Sequence, residues 1–141
     1  MVKRGESIEM EDKPVADVMQ RGTFNCQPNT PVAEVARRMV EHDVSALVVA
    51  DDRGYLMGVV TRTDLVTLRA YEDYWAHTTA QHAMVQQVIT ISPQATIRQA
   101  SRLMVEKKVH RLIVVEEEGG RLRPVGVISQ TDIVRDMASA A

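Results

Sequence analysis

The sequence predicts an α/β protein built from two β-α-β-β-α repeats that pack about a pseudo-twofold axis. The first observation is internal similarity, because Met19–Val49 aligns with Met84–Val114 without a gap at an offset of 65 residues. The second is a repeated turn, since Gly58–Asp64 (GVVTRTD) matches Gly126–Asp132 (GVISQTD) at an offset of 68. The third is size, because a unit of about 60 residues leaves apolar surface that a neighbouring unit must cover.

Each repeat is predicted to begin with a short strand that a proline ends. These strands are Asn25–Gln27, before Pro28, and Ile89–Ile91, shortly before Pro93. Proline cannot donate a hydrogen bond to a strand ladder, so each strand is limited to a few residues.

An amphipathic helix follows in both repeats. Apolar residues recur every three or four positions from Val32 to Val40, and the pattern returns from Ile97 to Val105. Thr30 is predicted to cap the first helix, with Pro31 at its first position. Thr96 and Gln99 have the spacing of a capping box for the second.

Two further strands and a last helix complete each repeat. Apolar runs predict strands at Ala46–Ala50 and Met57–Thr61 in the first repeat, and at Leu112–Val115 and Val125–Ser129 in the second. Charged turns join them at Asp51–Gly54 and Glu116–Gly120, and the second connection is three residues longer. The last helices begin near Asp64 and Asp132.

The remaining segments connect or flank these repeats. We expect residues 1–12 to be a mobile N-terminus and 138–141 a tail, with the first repeat at 13–70, a linker helix at 71–82 and the second repeat at 83–137. Tyr71, Tyr74 and Trp75 in the linker are expected to pack between the repeats or to contact a second chain.

The composition argues against several classes of protein. A formal net charge of −2 gives no basic field for nucleic acid. A lone Cys26, no membrane-length apolar run and no signal-peptide pattern favour the cytoplasm, with no membrane partner. No metal site is expected, because His77 and His82 lack metal-ligand spacing. Without a Ser-His-acid set or a Gly-rich phosphate loop, the chain is predicted to be a binding module and not an enzyme.

The repeated turn has two interpretations. Where a strand leads into a helix, unpaired backbone N–H groups at the positive end of the helix dipole can hold an anion or a sugar hydroxyl. The pairs Thr61/Asp64 and Ser129/Asp132 also match a capping box, which would only stabilise the helix, by about 1 kcal/mol. One residue can serve both roles.

The order of elements, with a Gly-x-x-Thr/Ser-x-x-Asp turn in each copy, resembles the cystathionine β-synthase (CBS) domain, and the tandem pair resembles a Bateman module. The resemblance covers residues from about 14 to 137 and includes the strand entries Val44–Val49 and Val109–Val115. It implies a regulatory domain with no required cofactor, which binds AMP, ADP, ATP or S-adenosylmethionine in clefts between the copies.

The resemblance also implies which residues contact such a ligand. Asp64 and Asp132 would accept hydrogen bonds from a ribose diol, beside the hydroxyls of Thr61, Thr63, Ser129 and Thr131. His110 and Arg111 would face the phosphates, which arginine can hold through two parallel N–H donors; the alternative is a hydrated strand entry. The adenine would contact backbone and apolar groups near the first strand of each copy. The residues of the adenine site and the pocket wall would be Thr23, Phe24, Ser45, Ala46, Val88 and Ile89.

The two clefts are predicted to be chemically unequal. Where the second repeat has His110 and Arg111, the first has Ser45 and Ala46. We therefore expect the cleft of Asp132 to prefer ligands with more phosphate. The leading hypothesis is a stand-alone, homodimeric regulatory module that signals to an unknown regulated protein. The alternative is a ligand-free dimerisation or protein-interaction module with vestigial clefts.

Overall fold

The computed structural model describes residues 12–139. The predicted N-terminal arm, except its last residue, and the final two residues of the predicted tail lie outside this range. The described strands are β1 (Gln20–Arg21), β2 (Asn25–Cys26), β3 (Ala46–Ala50), β4 (Leu56–Thr61), β5 (Thr90–Ile91), β6 (Arg111–Glu118) and β7 (Arg121–Ser129). The described α-helices are α1 (Val32–His42), α2 (Arg62–Tyr71), α3 (Ala80–Ala83), α4 (Ile97–Lys107) and α5 (Gln130–Ser139), and short 3-10 turns lie at Val15–Asp17 and Trp75–His77.

The strands form two sheets of matching design. In the first repeat the order is β2-β3-β4, and in the second it is β1-β7-β6-β5. Each repeat joins one parallel pair, β2 with β3 or β5 with β6, to one antiparallel hairpin. The predicted α/β fold with two similar repeats is confirmed.

A short segment ahead of each repeat crosses to the other repeat. Strand β1 is antiparallel to β7, with Gln20 opposite Val127. At the equivalent place in the first repeat, Val85 forms an isolated antiparallel bridge with Val59. Each sheet is therefore extended by chain that precedes the other repeat.

The cores show the same exchange. Val15 is fully buried in the apolar cluster of the second repeat, and its counterpart Ala80 is buried in the cluster of the first. A third apolar cluster lies between the two sheets and includes Val48, Val59 and Ile113. Because each core contains residues contributed across the boundary, the two repeats are packed as one unit.

The start of α1 differs from the sequence prediction. Pro31 has an extended backbone (φ −61°, ψ 144°) and pairs with Thr79, so the helix begins at Val32 and Thr30 does not cap it. Instead, the Thr30 hydroxyl accepts a 3.0 Å hydrogen bond from the Gln27 N–H. The capping box of Thr96 and Gln99 is confirmed, with reciprocal hydrogen bonds of 2.9 and 3.1 Å.

The connections also differ from those predicted. Strand β6 continues to Glu118, so the residues inserted in the second repeat lengthen the hairpin and leave only Gly119 and Gly120 as its turn. Both glycines have positive φ (58° and 80°), as a two-residue hairpin turn of type I′ requires. No continuous helix spans 71–82, because α2 ends at Tyr71 and Glu72 is extended.

Candidate ligand-binding site

Two cavities lie between the repeats, close to the first residues of β3 and β6. The first cavity has a volume of about 500 Å³ and combines the turn after β4 with the segment before β5 and the start of β6. The second cavity, of about 710 Å³, combines the turn after β7 with the segment before β2 and the start of β3. Each cavity is therefore built from the turn of one repeat and the strand entry of the other.

Most of the residues predicted to contact a ligand line one of these cavities. The first cavity is lined by Thr61, Thr63, Val88 and Ile89. The second is lined by Thr23, Phe24, Ala46, Ser129 and Thr131. Ser45, His110 and Arg111 line both cavities, whereas neither Asp64 nor Asp132 lines either one.

Both aspartates lie in the first turn of a helix and complete a capping box with the residue that precedes that helix. In the first repeat, one Asp64 carboxylate oxygen, Oδ2, accepts hydrogen bonds from the Thr61 N–H at 2.8 Å and the Thr61 hydroxyl at 2.9 Å. Oδ2 of Asp132 accepts the equivalent bonds from Ser129, also at 2.8 and 2.9 Å. The capping interpretation of the repeated turn is therefore confirmed in both copies. It occupies one carboxylate oxygen of each aspartate.

The second oxygen distinguishes the two aspartates. Oδ1 of Asp132 accepts a 3.2 Å hydrogen bond from the Gln20 amide and lies 3.6 Å from the Arg135 guanidinium, and the side chain is only 3% exposed. In the first repeat, Val85 and Thr67 occupy the positions equivalent to Gln20 and Arg135. Within residues 12–139, no hydrogen bond or ion pair to Oδ1 of Asp64 is present.

This difference makes Asp64 the less engaged of the two aspartates. We expected the cleft of Asp132 to take the phosphorylated ligand, but its carboxylate is buried and engaged on both oxygens. Asp64 is half-buried, follows Thr63 at the edge of the first cavity, and keeps one oxygen available. Within residues 12–139, one oxygen of Asp64 is therefore without a hydrogen bond, whereas both oxygens of Asp132 are engaged.

The first cavity is strongly cationic. Arg62, Lys108 and Arg111 line it together with His110, and among residues 12–139 no carboxylate lines it. Within residues 12–139, the positive charge of Arg62 is partly balanced by Asp43. The two exposed side chains form an ion pair in which nitrogen and oxygen are 3.8 Å apart. Such an exposed pair contributes little. The cavity is therefore suited to an anion.

Arg111 is the most enclosed of these cations. Its Nη2 donates a 2.7 Å hydrogen bond to the Ser45 hydroxyl, across the boundary between the repeats. Burial, and then the neighbouring positive charge of Arg62, lower the pKa of Arg111 below its ordinary value. The guanidinium stays charged, because its pKa in proteins is far above neutral. Its charge has no carboxylate partner within the described residues.

The second cavity has a more balanced charge. Arg21, Arg111 and Arg135 line it, but Asp43 does too, and Arg135 lies next to Asp132. Asp43 is the counterpart of Lys108, and both residues have left-handed backbones at the end of a helix. One equivalent position thus contributes an anion to the second cavity and a cation to the first.

The sequence analysis missed Arg62 and Lys108. Their signal was present in the alignment of the repeats, where Arg62 aligns with Gln130 and Lys108 with Asp43. Only the structure shows that both side chains line the same cavity. The first cavity brings these two cations together with four of the predicted residues, which are Thr61, Thr63, His110 and Arg111. Thr23 and Phe24 lie in the other cavity.

The described part of the chain shows no helix that is long and apolar enough to cross a membrane.

Cys26 is buried in the core of the first repeat, 2% exposed, and burial raises the pKa of its thiol to about 11. This thiol therefore lies away from both cavities and is protonated at neutral pH.

The paired sheets, the duplicated turn and the two cavities between the repeats define a tandem module of two similar domains. The CBS domain family matches the chain at residues 15–71 and again at 80–139, so the chain belongs to that family. An uncharacterized protein of Methanopyrus kandleri is 27% identical over 127 residues, covering 89% of this chain but 63% of that relative. The chain thus spans less than two thirds of the length of that relative.

Two solved structures are similar over most of their length. CBSX2 in complex with AMP is 26% identical with a TM-score of 0.77, covering 90% of this chain and 97% of that one. The CBS domain pair of protein MJ0100, in complex with 5′-methylthioadenosine and S-adenosyl-L-methionine, is 21% identical with a TM-score of 0.82, covering 93% and 100%. The second likeness supports the fold.

Proposed function

We propose that this chain is a regulatory module that binds a phosphorylated adenosine, of the AMP, ADP or ATP class, in the first cavity. The observation that carries the proposal is a cavity with three fixed cations and no lining carboxylate, next to an aspartate with one available oxygen. The AMP complex of CBSX2 supports the same ligand class. S-adenosylmethionine fits less well, since its sulfonium would add positive charge to a cationic cavity.

The lining residues suggest one orientation for the ligand. Asp64 would accept from the ribose diol while Thr63 contributes a hydroxyl. Val88 and Ile89, on the opposite wall, would contact the adenine through apolar and backbone groups. The phosphates would then extend toward Arg62 and Arg111, with Lys108 and His110 beside them, where charge-assisted hydrogen bonds are strongest.

Calorimetric titration tests this proposal. We expect AMP or ATP to bind wild-type protein more tightly than S-adenosylmethionine. Asp64→Asn should weaken AMP binding about tenfold, because it removes charge from a hydrogen bond to the ribose. Asp132→Asn is the matched control at the equivalent position and should leave AMP affinity nearly unchanged. The proposal fails if no adenosine nucleotide binds, and the choice of cavity fails if only Asp132→Asn weakens binding.

Signalling to a regulated protein would follow from the location of the cavity. A ligand between the repeats contacts both, so binding favours whichever relative arrangement of the repeats fits it best. The surface that a partner recognises would change accordingly. We therefore expect hydrogen exchange of β3 and β6 to slow when AMP is added to wild-type protein. Protection that appears equally in Asp64→Asn at the same AMP concentration would contradict this coupling.

A homodimer is the second part of the proposal, and an apolar surface supports it. Val40 on α1 and its counterpart Val105 on α4 are 81% and 76% exposed. Val66 on α2 and its counterpart Val134 on α5 are 68% and 62% exposed. Matched apolar residues on both repeats suit a second copy of the chain, which presents the same pairs about a twofold axis.

The same valines favour the alternative of a ligand-free dimerisation module. Light scattering should give a dimer for wild-type protein and a monomer for the double variant Val40→Lys, Val105→Lys. Lys107→Glu, on the exposed surface of the same helix, is the control. Thermal unfolding separates the two functions. A nucleotide-dependent rise in melting temperature supports the regulatory module, and a dimer unaffected by any adenosine ligand supports the alternative.

A further inference from the structure

Arg111 belongs to both cavities. Its side chain lines the first and the second, and its hydrogen bond to Ser45 holds it at the wall that separates them. The position equivalent to Arg111 in the first repeat is Ala46, which carries no charge. A symmetric module would have an arginine at this position in each repeat, whereas this chain has one only in the second, and that arginine lines both cavities.

The second cavity depends on that guanidinium more than the first does. Without Arg111, the first cavity still has Arg62 and Lys108, against the adjoining Asp64. The formal charges left around the second cavity sum to zero, because Arg21 and Arg135 are matched in number by Asp43, which lines it, and by the adjoining Asp132. His110 lines both cavities and adds to neither one selectively.

The bond to Ser45 is one that a phosphate can displace. The serine hydroxyl is a neutral acceptor, and a hydrogen bond to an ionised acceptor is shorter and stronger. Since Arg111 is half-buried with no carboxylate partner in the described chain, a phosphate in either cavity would relieve an uncompensated charge. A second phosphate across the same wall would then meet the first phosphate's negative charge and an Arg111 that is already engaged. Arg21 and Arg135 would remain, and they share the second cavity with Asp43 and the adjoining Asp132.

We propose that Arg111 is a shared phosphate ligand that limits the module to one phosphorylated ligand per chain, bound in the first cavity. This inference rests on the proposed function. Binding in the first cavity takes Arg111 from Ser45 and leaves the second cavity with no net positive charge. The duplication of the fold therefore does not give two equivalent nucleotide sites.

The stoichiometry of AMP binding to wild-type protein is the direct test. Calorimetry with an independently calibrated protein concentration should give one AMP per chain. Two AMP molecules of similar affinity per chain would overturn the shared role of Arg111 while leaving the proposed function standing. No binding at all would overturn both. This measurement requires no variant, so it is decisive even where a substitution fails to fold.

Two substitutions sharpen the test. Ala46→Arg supplies the missing guanidinium and should raise the stoichiometry to two, whereas Ala46→Met, similar in reach but uncharged, should leave it at one. Arg111→Ala should weaken AMP binding at least tenfold and adenosine binding far less, because adenosine has no phosphate for the guanidinium to hold. Equal losses for AMP and adenosine would mean that Arg111 only supports the fold, and would overturn the inference.

Discussion

Gly126 lies directly against the backbone of Gln20. A Cβ atom at position 126 would be 2.6 Å from the Gln20 carbonyl oxygen and 2.8 Å from the sulfur of Met19. Gly58, the equivalent glycine of the first repeat, faces the equivalent residues. Its Cβ would be 2.7 Å from both the Val85 carbonyl oxygen and the Met84 sulfur. The glycine of the repeated turn is thus required by the segment that crosses from the other repeat.

Alanine at either glycine should destabilise the whole chain. The crossing backbone cannot move away without breaking its pairing with β7 or β4, so we expect Gly126→Ala and Gly58→Ala each to lower the free energy of unfolding by about 2–3 kcal/mol. Urea unfolding measures this. Gly22→Ala is the control, since its Cβ would meet no atom within 4 Å and its positive φ of 78° costs about 1 kcal/mol. Losses no larger than the control's would contradict the explanation.

The main elements of the fold could be predicted because they leave periodic or repeated signals. Strand β3 was predicted with its observed bounds, since a run of five apolar residues between charged segments indicates a buried strand. Helices α1 and α4 followed from apolar spacing. The crossing strand β1 was missed, because it has only two residues and its partner β7 is about a hundred residues later in the chain.

The candidate site could be predicted only in part. Hydroxyl and aspartate residues of the repeated turn are visible as a motif, and so are His110 and Arg111. The charge of each cavity is not, because it depends on which side chains meet across the boundary between the repeats. The engagement of Asp132 by Gln20 comes from β1, the element that left no periodic signal. For that reason the sequence does not show that Asp132 is the more engaged of the two aspartates.

The tip of the β6–β7 hairpin contacts the tip of the β3–β4 hairpin, and these contacts should make the protein less stable at acidic pH. Arg123 of β7 donates a 2.7 Å hydrogen bond to Glu118, stacks over the Tyr55 ring at 4.6 Å and donates to the Arg53 carbonyl oxygen. The hydrogen bond from Arg123, and then the charge of Arg123, hold the pKa of Glu118 below its ordinary value of 4.5. This carboxylate therefore stabilises the fold above pH 4.5, and its contribution is lost as the pH falls below that value.

Thermal unfolding across this pH range measures the effect. Glu118→Gln should lower the melting temperature slightly at neutral pH and flatten its fall below pH 4.5. Glu117→Gln, the exposed neighbour on the same strand, should follow the wild-type curve. If Glu118→Gln and the wild type fall in parallel, the hairpin contact does not respond to protonation of Glu118.

Cys26 should react only when the protein unfolds. Its thiol is 2% exposed and its pKa is raised to about 11 by burial, so the reactive thiolate is scarce and inaccessible at neutral pH. We expect a thiol reagent to label the folded chain at a rate that rises with urea in parallel with global unfolding. Chain fully unfolded in urea is the positive control and should be labelled rapidly. Rapid, complete labelling without urea would show that β2 opens locally.

Lys108 and Asp43 allow stability and binding to be separated at one equivalent position. Both end a helix with a left-handed backbone, at φ 56° and φ 50°, a conformation that glycine adopts without strain. Lys108→Gly and Asp43→Gly should therefore each raise the free energy of unfolding by about 0.5–1 kcal/mol. The two variants should differ in nucleotide affinity, because Lys108 contributes positive charge to the first cavity and Asp43 does not.

Calorimetry on the two variants completes this comparison. Lys108→Gly should weaken AMP binding by up to about fivefold, as expected for an exposed charge pair. Asp43→Gly should leave AMP binding unchanged or slightly stronger, since it removes the carboxylate that lies 3.8 Å from Arg62. A weaker dependence on salt concentration should accompany the loss in Lys108→Gly. If Asp43→Gly weakens AMP binding as much as Lys108→Gly does, the charge difference between the cavities does not direct the nucleotide to the first.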